Sequence, residues 1–233
     1  MKSIQNAVAK LKSCTSEEQI VNTLQEINQI LIAEYELEIC KDLVLQLIEV
    51  ESYYSSKYRF EDPAVHCNIL QQNHFGKLYL HRKTTDVTGK ILRHRGGLDI
   101  CLSDDDSYFG VLIRRAVINQ EDQIIQGPSL LLNRVLEHGE IVGCQIDEDK
   151  VVLKPRKSKT YYNDLIFFHS DRIGLSGKFE KKPLRTHIDL KGSKQKEKDI
   201  EQYLTANPNV APNEFMKKNL GYVSKSILEK LKS

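Results

Sequence analysis

The stretch Ile48-Glu49-Val50-Glu51-Ser52-Tyr53-Tyr54 holds the residue types best suited to chemistry. Successive side chains of a strand point to opposite faces, so Glu49 and Glu51 share one side, with Leu47 and Tyr53 beside them. Two acids on one face are most often its wet side. An acid partly buried by tyrosines instead has its pKa pushed up, because burial disfavours the charged form, and then suits a general base. Spacing alone leaves both readings open.

Other groups carry weaker signals. His66, His74, His81 and His94 lack the close paired spacing of zinc ligands, so no metal site is expected. Residues 81–99, HRKTTDVTGKILRHRGGLD, gather His81, Arg82, Lys83, Lys90, Arg93, His94 and Arg95 around turn residues and two glycines. This is either a solvated hairpin or a phosphate-binding arm, in which cations neutralise phosphates and glycines admit the backbone. Asp104-Asp105-Asp106-Ser107 reads as a hairpin turn, since adjacent acids cannot all face one ion. Arg114 and Arg115 stand in an apolar strand, so one of them points inward and needs a carboxylate or another acceptor.

The elements that hold these residues are legible in three blocks. Ile4, Val8 and Leu11, then Ile20, Leu24, Ile27 and Leu31, recur near the helical period and predict a helical hairpin over 1–36. Thr15 followed by Glu18 reads as a capping box between its two helices. Over 37–190 the pattern changes to strands (VLQLIEVES, GKLYLHR, GLDICLS, YFGVLIRRAVI, VVLKP), with a helix begun by Gly127-Pro128-Ser129. Many strands with few helices predict an α+β domain on a single, largely antiparallel sheet with surrounding helices. Residues 191–233 carry nine lysines against five acids and read as a basic helical C-terminal tail, solvated or contacting phosphates.

Composition narrows the class. The chain has 233 residues, 40% apolar and 7% aromatic, enough for a core. A net charge of +2 does not mark a nucleic-acid binder, although a local patch still can. No apolar run nears a membrane span and no signal-peptide run opens the chain, so a cytoplasmic protein is expected. Five scattered cysteines without a CxxC pair predict reduced thiols.

Four pieces line up in order: IEVESYY (48–54), GKLYLHR running on to GLDICLS, GVLIRRA with IIQGPSLLLNRVL (110–136), and RIGLSGKFEKKPLRTHI (172–188). Together, over roughly residues 40–190, they resemble the alkyladenine (3-methyladenine) DNA glycosylases of mammalian type. The last piece is the most specific. That family closes its domain with Arg-hydrophobic-Gly and then Gly-x-x-x-(Arg/Lys)-Lys-Pro-Leu-Arg; here Arg172-Ile173-Gly174 precedes Gly177 and Lys181-Lys182-Pro183-Leu184-Arg185.

The resemblance implies a curved sheet of glycosylase type. It implies a monofunctional enzyme that hydrolyses the N-glycosidic bond of alkylated or deaminated purines in base excision repair. The family's strand reads Glu-x-Glu-x-Tyr, and its second acid activates water; that role falls on Glu51, with Arg114 of Val111-Leu112-Ile113-Arg114 beside it. Tyr53 and His66 would hold the flipped base. The second stacking position falls on His81 and the gate against ordinary guanine on Ser103. Arg82, Lys83, Lys90, Arg93, Arg95, Lys181, Lys182 and Arg185 would meet phosphates. No cofactor or metal is implied. The partner is damaged duplex DNA, bound by a monomer that is nucleoid-associated when on DNA.

The chain also departs from the family. His81 and Ser103 replace a tyrosine and an asparagine. The segment Arg93-His94-Arg95-Gly96-Gly97 offers no aromatic wedge where the family fills the gap left by the flipped base. Two alternatives follow: a non-catalytic nucleic-acid-binding or interaction module on the same fold, or a hydrolase of nucleoside-like small molecules.

Overall fold

A computed structural model describes residues 2–67, 69–72, 75–81, 96–119, 123–142, 152–156, 165–175, 181–190 and 195–232. Helices α1 (Lys2–Leu11) and α2 (Glu17–Glu34) open the chain. Ser16, not Thr15, caps α2, its hydroxyl accepting from Gln19 N at 3.2 Å. Gln19 accepts from Thr15 N, one residue before the cap, so Ser16 and Gln19 cap the helix in place of the expected Thr15–Glu18 box. Helix α2 runs directly into β1 (Tyr35–Cys40), and β2 (Leu43–Ser56) returns against it.

Next come α3 (Ile69–Gln72), β3 (Leu78–His81), β4 (Gly97–Cys101), β5 (Ser107–Ile118), β6 (Ile125–Gln126) and α4 (Pro128–Ile141). The chain continues through β7 (Val152–Pro155), β8 (Phe168–Ser170) and β9 (Arg185–His187) to α5 (Lys196–Ala206), α6 (Pro212–Leu220) and α7 (Lys225–Lys230). The described strands form one antiparallel sheet of order β3-β4-β5-β2-β1-β7, with β6 on β5 and the β8–β9 pair on β2. It curls into half a barrel, and the fold is α+β. Among the described residues no helix is long and apolar enough to cross a membrane.

Strand β2 is the spine. It pairs with β5 along its length, while its other edge is shared by β1 at Leu43–Gln46 and by β9 at Glu49–Glu51. The β2–β5 register shifts between Leu47 and Val50. Before the shift Leu43, Leu45 and Leu47 enter the core; after it Val50 and Tyr54 do, with Ser52 and Ser56 buried in the same phase, while Glu49 and Glu51 are buried in the other. Leu47 therefore belongs with the core residues and not, as simple alternation predicts, beside Glu51 and Tyr53.

Helices α1 and α2 share one apolar core with the sheet and α4, through residues such as Ile4, Leu24, Leu31, Val50, Ile113 and Leu132. Asn28 of α2 bonds across that core. It donates to Leu184 O and Thr186 Oγ1, each at 3.2 Å, and accepts from Ser52 Oγ at 2.7 Å. The expected solvated tail is instead packed. Ile200, Leu204, Phe215, Met216 and Ile227 form a second cluster with Phe168 and Leu190. Of the cysteines, Cys14, Cys67 and Cys101 stand outside any disulfide, whereas Cys40 is disulfide-bonded, contrary to the reduced thiols expected.

Candidate active site

The sheet lays its polar residues in a row. Glu51 pairs with Leu112 on β5, Leu112 with Asp99 on β4, and Asp99 with Tyr79 on β3, while Arg185 of β9 flanks Glu51 on its other side. Paired residues point to one face, so the row follows from register. The alternate residues Leu98, Ile100, Val111 and Ile113 point into the core.

Glu51 is fully buried. Its Oε1 accepts from Ile173 N at 2.9 Å, and its Oε2 from the Tyr53 hydroxyl at 3.0 Å and from Arg114 Nη1 at 3.2 Å. The turn that presents Ile173 N continues through Gly174 at φ +80°, a conformation that glycine adopts without strain. Burial drives the Glu51 pKa upward. Arg114, the Ile173 amide and Tyr53 oppose it without cancelling it, and Glu49 adds to the rise. The Tyr53 phenol, buried and next to that carboxylate, is held far above its ordinary pKa, so it remains a proton donor in the hydrogen bond.

Glu49 has the opposite environment. Burial also pushes its pKa up, but Arg115, Arg185, His187 and Arg114 together outweigh that and hold it below the ordinary value. Arg115 Nε forms an ion pair with it, Arg185 Nη1 lies at 3.2 Å and Arg114 Nε at 3.4 Å. Both Arg114 and Arg115 thus meet carboxylates, where the sequence demanded only one inward arginine. Arg185 continues to Asp199 of α5 at 2.8 Å, and His187 Nε2 lies 3.1 Å from the same carboxylate.

Beside Glu51 the sheet opens into a cavity of about 130 Å³ lined by Tyr53, Ala64, His66, Gln71, Asp99, Leu112 and Leu175. Tyr53 and His66, expected to hold a base, do meet there. Under the Tyr53 ring lies the Arg172 guanidinium, 4.6 Å from its centroid and paired with buried Asp62 at 2.6 Å. Neither Arg172 nor Asp62 was marked out by spacing. They are an acid and a base far apart in sequence, joined only by the fold.

Other expected positions fall elsewhere. Ser103 does not line the cavity; its buried hydroxyl accepts from Phe109 N at 2.7 Å and donates to Phe109 O, tying the β4–β5 hairpin. The cavity position on that strand belongs to Asp99, because the register with Leu112 sets it and Ser103 lies beyond the strand end. Arg185, expected at phosphates, is buried among carboxylates and is a framework residue. Lys182 is ion-paired with Glu17 of α2, while Lys181 is exposed. His81 ends β3 opposite Gly97. Its side chain, His74, and Arg82, Lys83, Lys90, Arg93, His94 and Arg95 lie outside the described residues. Asp104 forms the expected turn, its Oδ1 accepting from Asp106 N and Ser107 Oγ.

These features define an α+β protein with a buried carboxylate at the edge of a small cavity. No family model matches the chain. It is similar to the uncharacterized protein L759 of Acanthamoeba polyphaga mimivirus, with 28% identity over 161 residues, 58% of this chain and 70% of that protein.

Proposed function

We propose that the protein is a monofunctional DNA glycosylase-like hydrolase that accepts an extruded damaged purine and activates water through Glu51. One observation carries the reading. A buried acid with a raised pKa is hydrogen-bonded to Tyr53, whose ring lines a cavity that His66 also faces. A flipped base wants an aromatic face, and a carboxylate beside it stabilises positive charge on the sugar and takes the proton of the attacking water. Arg114 holds Glu51 in place, and a pKa nearer neutrality suits proton transfer. For water to reach Oε2, one of the two donors now on it gives way as substrate enters. In this reading Lys181 and the 82–95 arm meet phosphates, DNA is the partner and the protein acts as a monomer.

The test is base release from duplexes carrying hypoxanthine, ethenoadenine or 3-methyladenine. Wild type releases at least one of these bases. Glu51→Gln loses release by about 10²–10⁴-fold, the contribution of a positioned general base, while salt-sensitive duplex binding remains. Release that survives in Glu51→Gln removes the mechanism.

A second reading is favoured by one fact: both Glu51 oxygens already hold donors, and Glu51 itself does not line the cavity. A base-binding module without hydrolysis has that closed arrangement. Duplex binding without release of any of the three bases selects it.

A further inference from the structure

We propose that Asp99 and Gln71 form the recognition wall of the cavity and select a flat heterocycle that presents hydrogen-bond donors, amino-bearing or cationic, over one that presents only acceptors. The inference builds on the base-binding role proposed for this cavity and not on the hydrolytic step.

The cavity has room for one ring of a heterocycle, so of a purine it encloses the leading ring. At about 130 Å³ it approaches the roughly 150 Å³ of an engineered apolar cavity, in another protein, that takes up benzene. Tyr53, Leu112, Leu175 and Ala64 supply apolar lining. Asp99 and Gln71, with His66 beside them, are the polar side chains in a wall otherwise suited to a flat apolar body, the arrangement by which small pockets fix orientation.

Asp99 is delivered by strand geometry. Leu98 and Ile100 turn to the core, so the residue between them faces the other way, in the same row as Glu51. It is nevertheless 6% exposed, so it is an acid in a sheltered site and not on a wet face. Gly110 is paired with Cys101 on β4 and Tyr53 on β2. A Cβ there would come within 3.0 Å of Gln71 Nε2, a crowded approach, and 3.9 Å of Asp99 Oδ2, an ordinary contact. The missing side chain therefore gives the α3 amide its place beside the acid of β4.

The chemistry of that pair gives the selectivity. A carboxylate accepts along about four directions and donates along none, so neighbours on some of them leave acceptor capacity toward the cavity. A ring edge of donors is satisfied there. An edge of acceptors is desolvated against oxygen, and the cost of leaving a buried polar group unmatched is what makes such sites discriminate. Gln71 offers an amide N–H and a carbonyl, so it completes contacts to either kind of edge without reversing the preference that Asp99 sets.

The test uses the intact protein and two probes of one ring and similar size. 4-Aminopyridine carries donors; 4-methylpyridine has a single acceptor. Their affinities are measured by ligand-observed NMR at mildly alkaline pH for wild type, Asp99→Asn and Gln71→Met, with thermal melts as the folding control. Wild type is expected to favour 4-aminopyridine by about tenfold, the worth of one hydrogen bond to a charged group. Asp99→Asn is expected to bring the two probes to parity, and Gln71→Met, a buried change of similar volume on the short helix α3, to narrow the gap. Equal binding of both probes by wild type, no binding of either, or a preference that survives Asp99→Asn in a folded protein overturns the assignment. Failure of base release with the preference intact would sink hydrolysis alone. Base release with no probe preference would sink this assignment alone.

Discussion

Glu49 and Glu51 sit two residues apart on β2, yet the fold gives them opposite electrostatics. Glu49 faces three guanidiniums and Glu51 one, so burial loses at the first and wins at the second. The sign for stability follows. A lowered acid pKa stabilises the fold above the unfolded carboxylate value and the contribution fades as pH falls; a raised one acts in the opposite sense. Glu49→Gln leaves buried guanidiniums uncompensated and is expected to cost about 3–5 kcal/mol by urea unfolding, whereas Glu51→Gln surrenders one guanidinium and costs less. Equal losses would show that the two acids are not distinguished. His169 makes a second residue-scale prediction. Burial, reinforced by His187, lowers its pKa to about 4, and its ring bridges Gln29 Nε2 at 2.8 Å and Thr186 Oγ1 at 2.9 Å. The unfolded chain takes up a proton near its ordinary pKa while the folded ring does not. Stability attributable to His169 should therefore be full above about pH 6.5 and fall as pH drops toward 4, by about 3 kcal/mol in all. A His169→Gln variant whose stability follows the same acid slope as wild type would refute this.

At the scale of elements, Asn28 is the contact that fixes α2 across the sheet, since one carboxamide serves Ser52 on β2 and the Leu184 and Thr186 segment of β9. Asn28→Leu fits the apolar stripe of the helix but orphans those partners. It should cost about 2 kcal/mol and lower Tm by about 4–8 °C; an unchanged Tm would mean the network is slack. The helix itself was readable, because Leu24, Ile27 and Leu31 repeat at the helical period, and the strands were readable from alternation. What alternation hides is phase. The shift between Leu47 and Val50 moves Leu47 off the face of Glu51, and no residue type there announces it. The cavity acid was hidden for a related reason. Asp99 and Ser103 share one phase of the alternation, and only the hairpin register decides which one lies opposite Leu112 and which ties the turn. Asp99 stands between Leu98 and Ile100, and an acid flanked by two apolar strand residues was the signal available for it.

At the scale of the molecule, the basic C-terminal tail reads as solvated because its polarity is on the surface while its anchor is buried. Asp199 has no exposure, and it grips Arg185 and His187, the same β9 residues that pair with Glu51 and Glu49 on β2. Aromatic packing completes the seam: Phe168 stacks on His187 at 5.3 Å and meets Tyr203 of α5 at 5.4 Å, and Tyr203 stacks on Phe215 of α6 at 4.7 Å. A tail tethered only by its apolar cluster would unfold on its own. One joined to the spine strand through a buried carboxylate held between Arg185 and His187 should unfold with it. Wild type is therefore expected to show one transition in urea, coincident by near-ultraviolet circular dichroism and by far-ultraviolet helix signal. Asp199→Asn removes the charge from that anchor and leaves Glu49 as the carboxylate paired with Arg185. The helix signal should then lose its coincidence and begin to fall at lower urea than the aromatic signal of the sheet. Two separated transitions already in wild type would mean that the C-terminal helices are an independent unit and that the Asp199 bridge does not couple them to the strand of Glu51. A single coincident transition in both proteins would mean that the apolar seam suffices, and that the buried charge at Asp199 serves to orient Arg185 rather than to join the two parts.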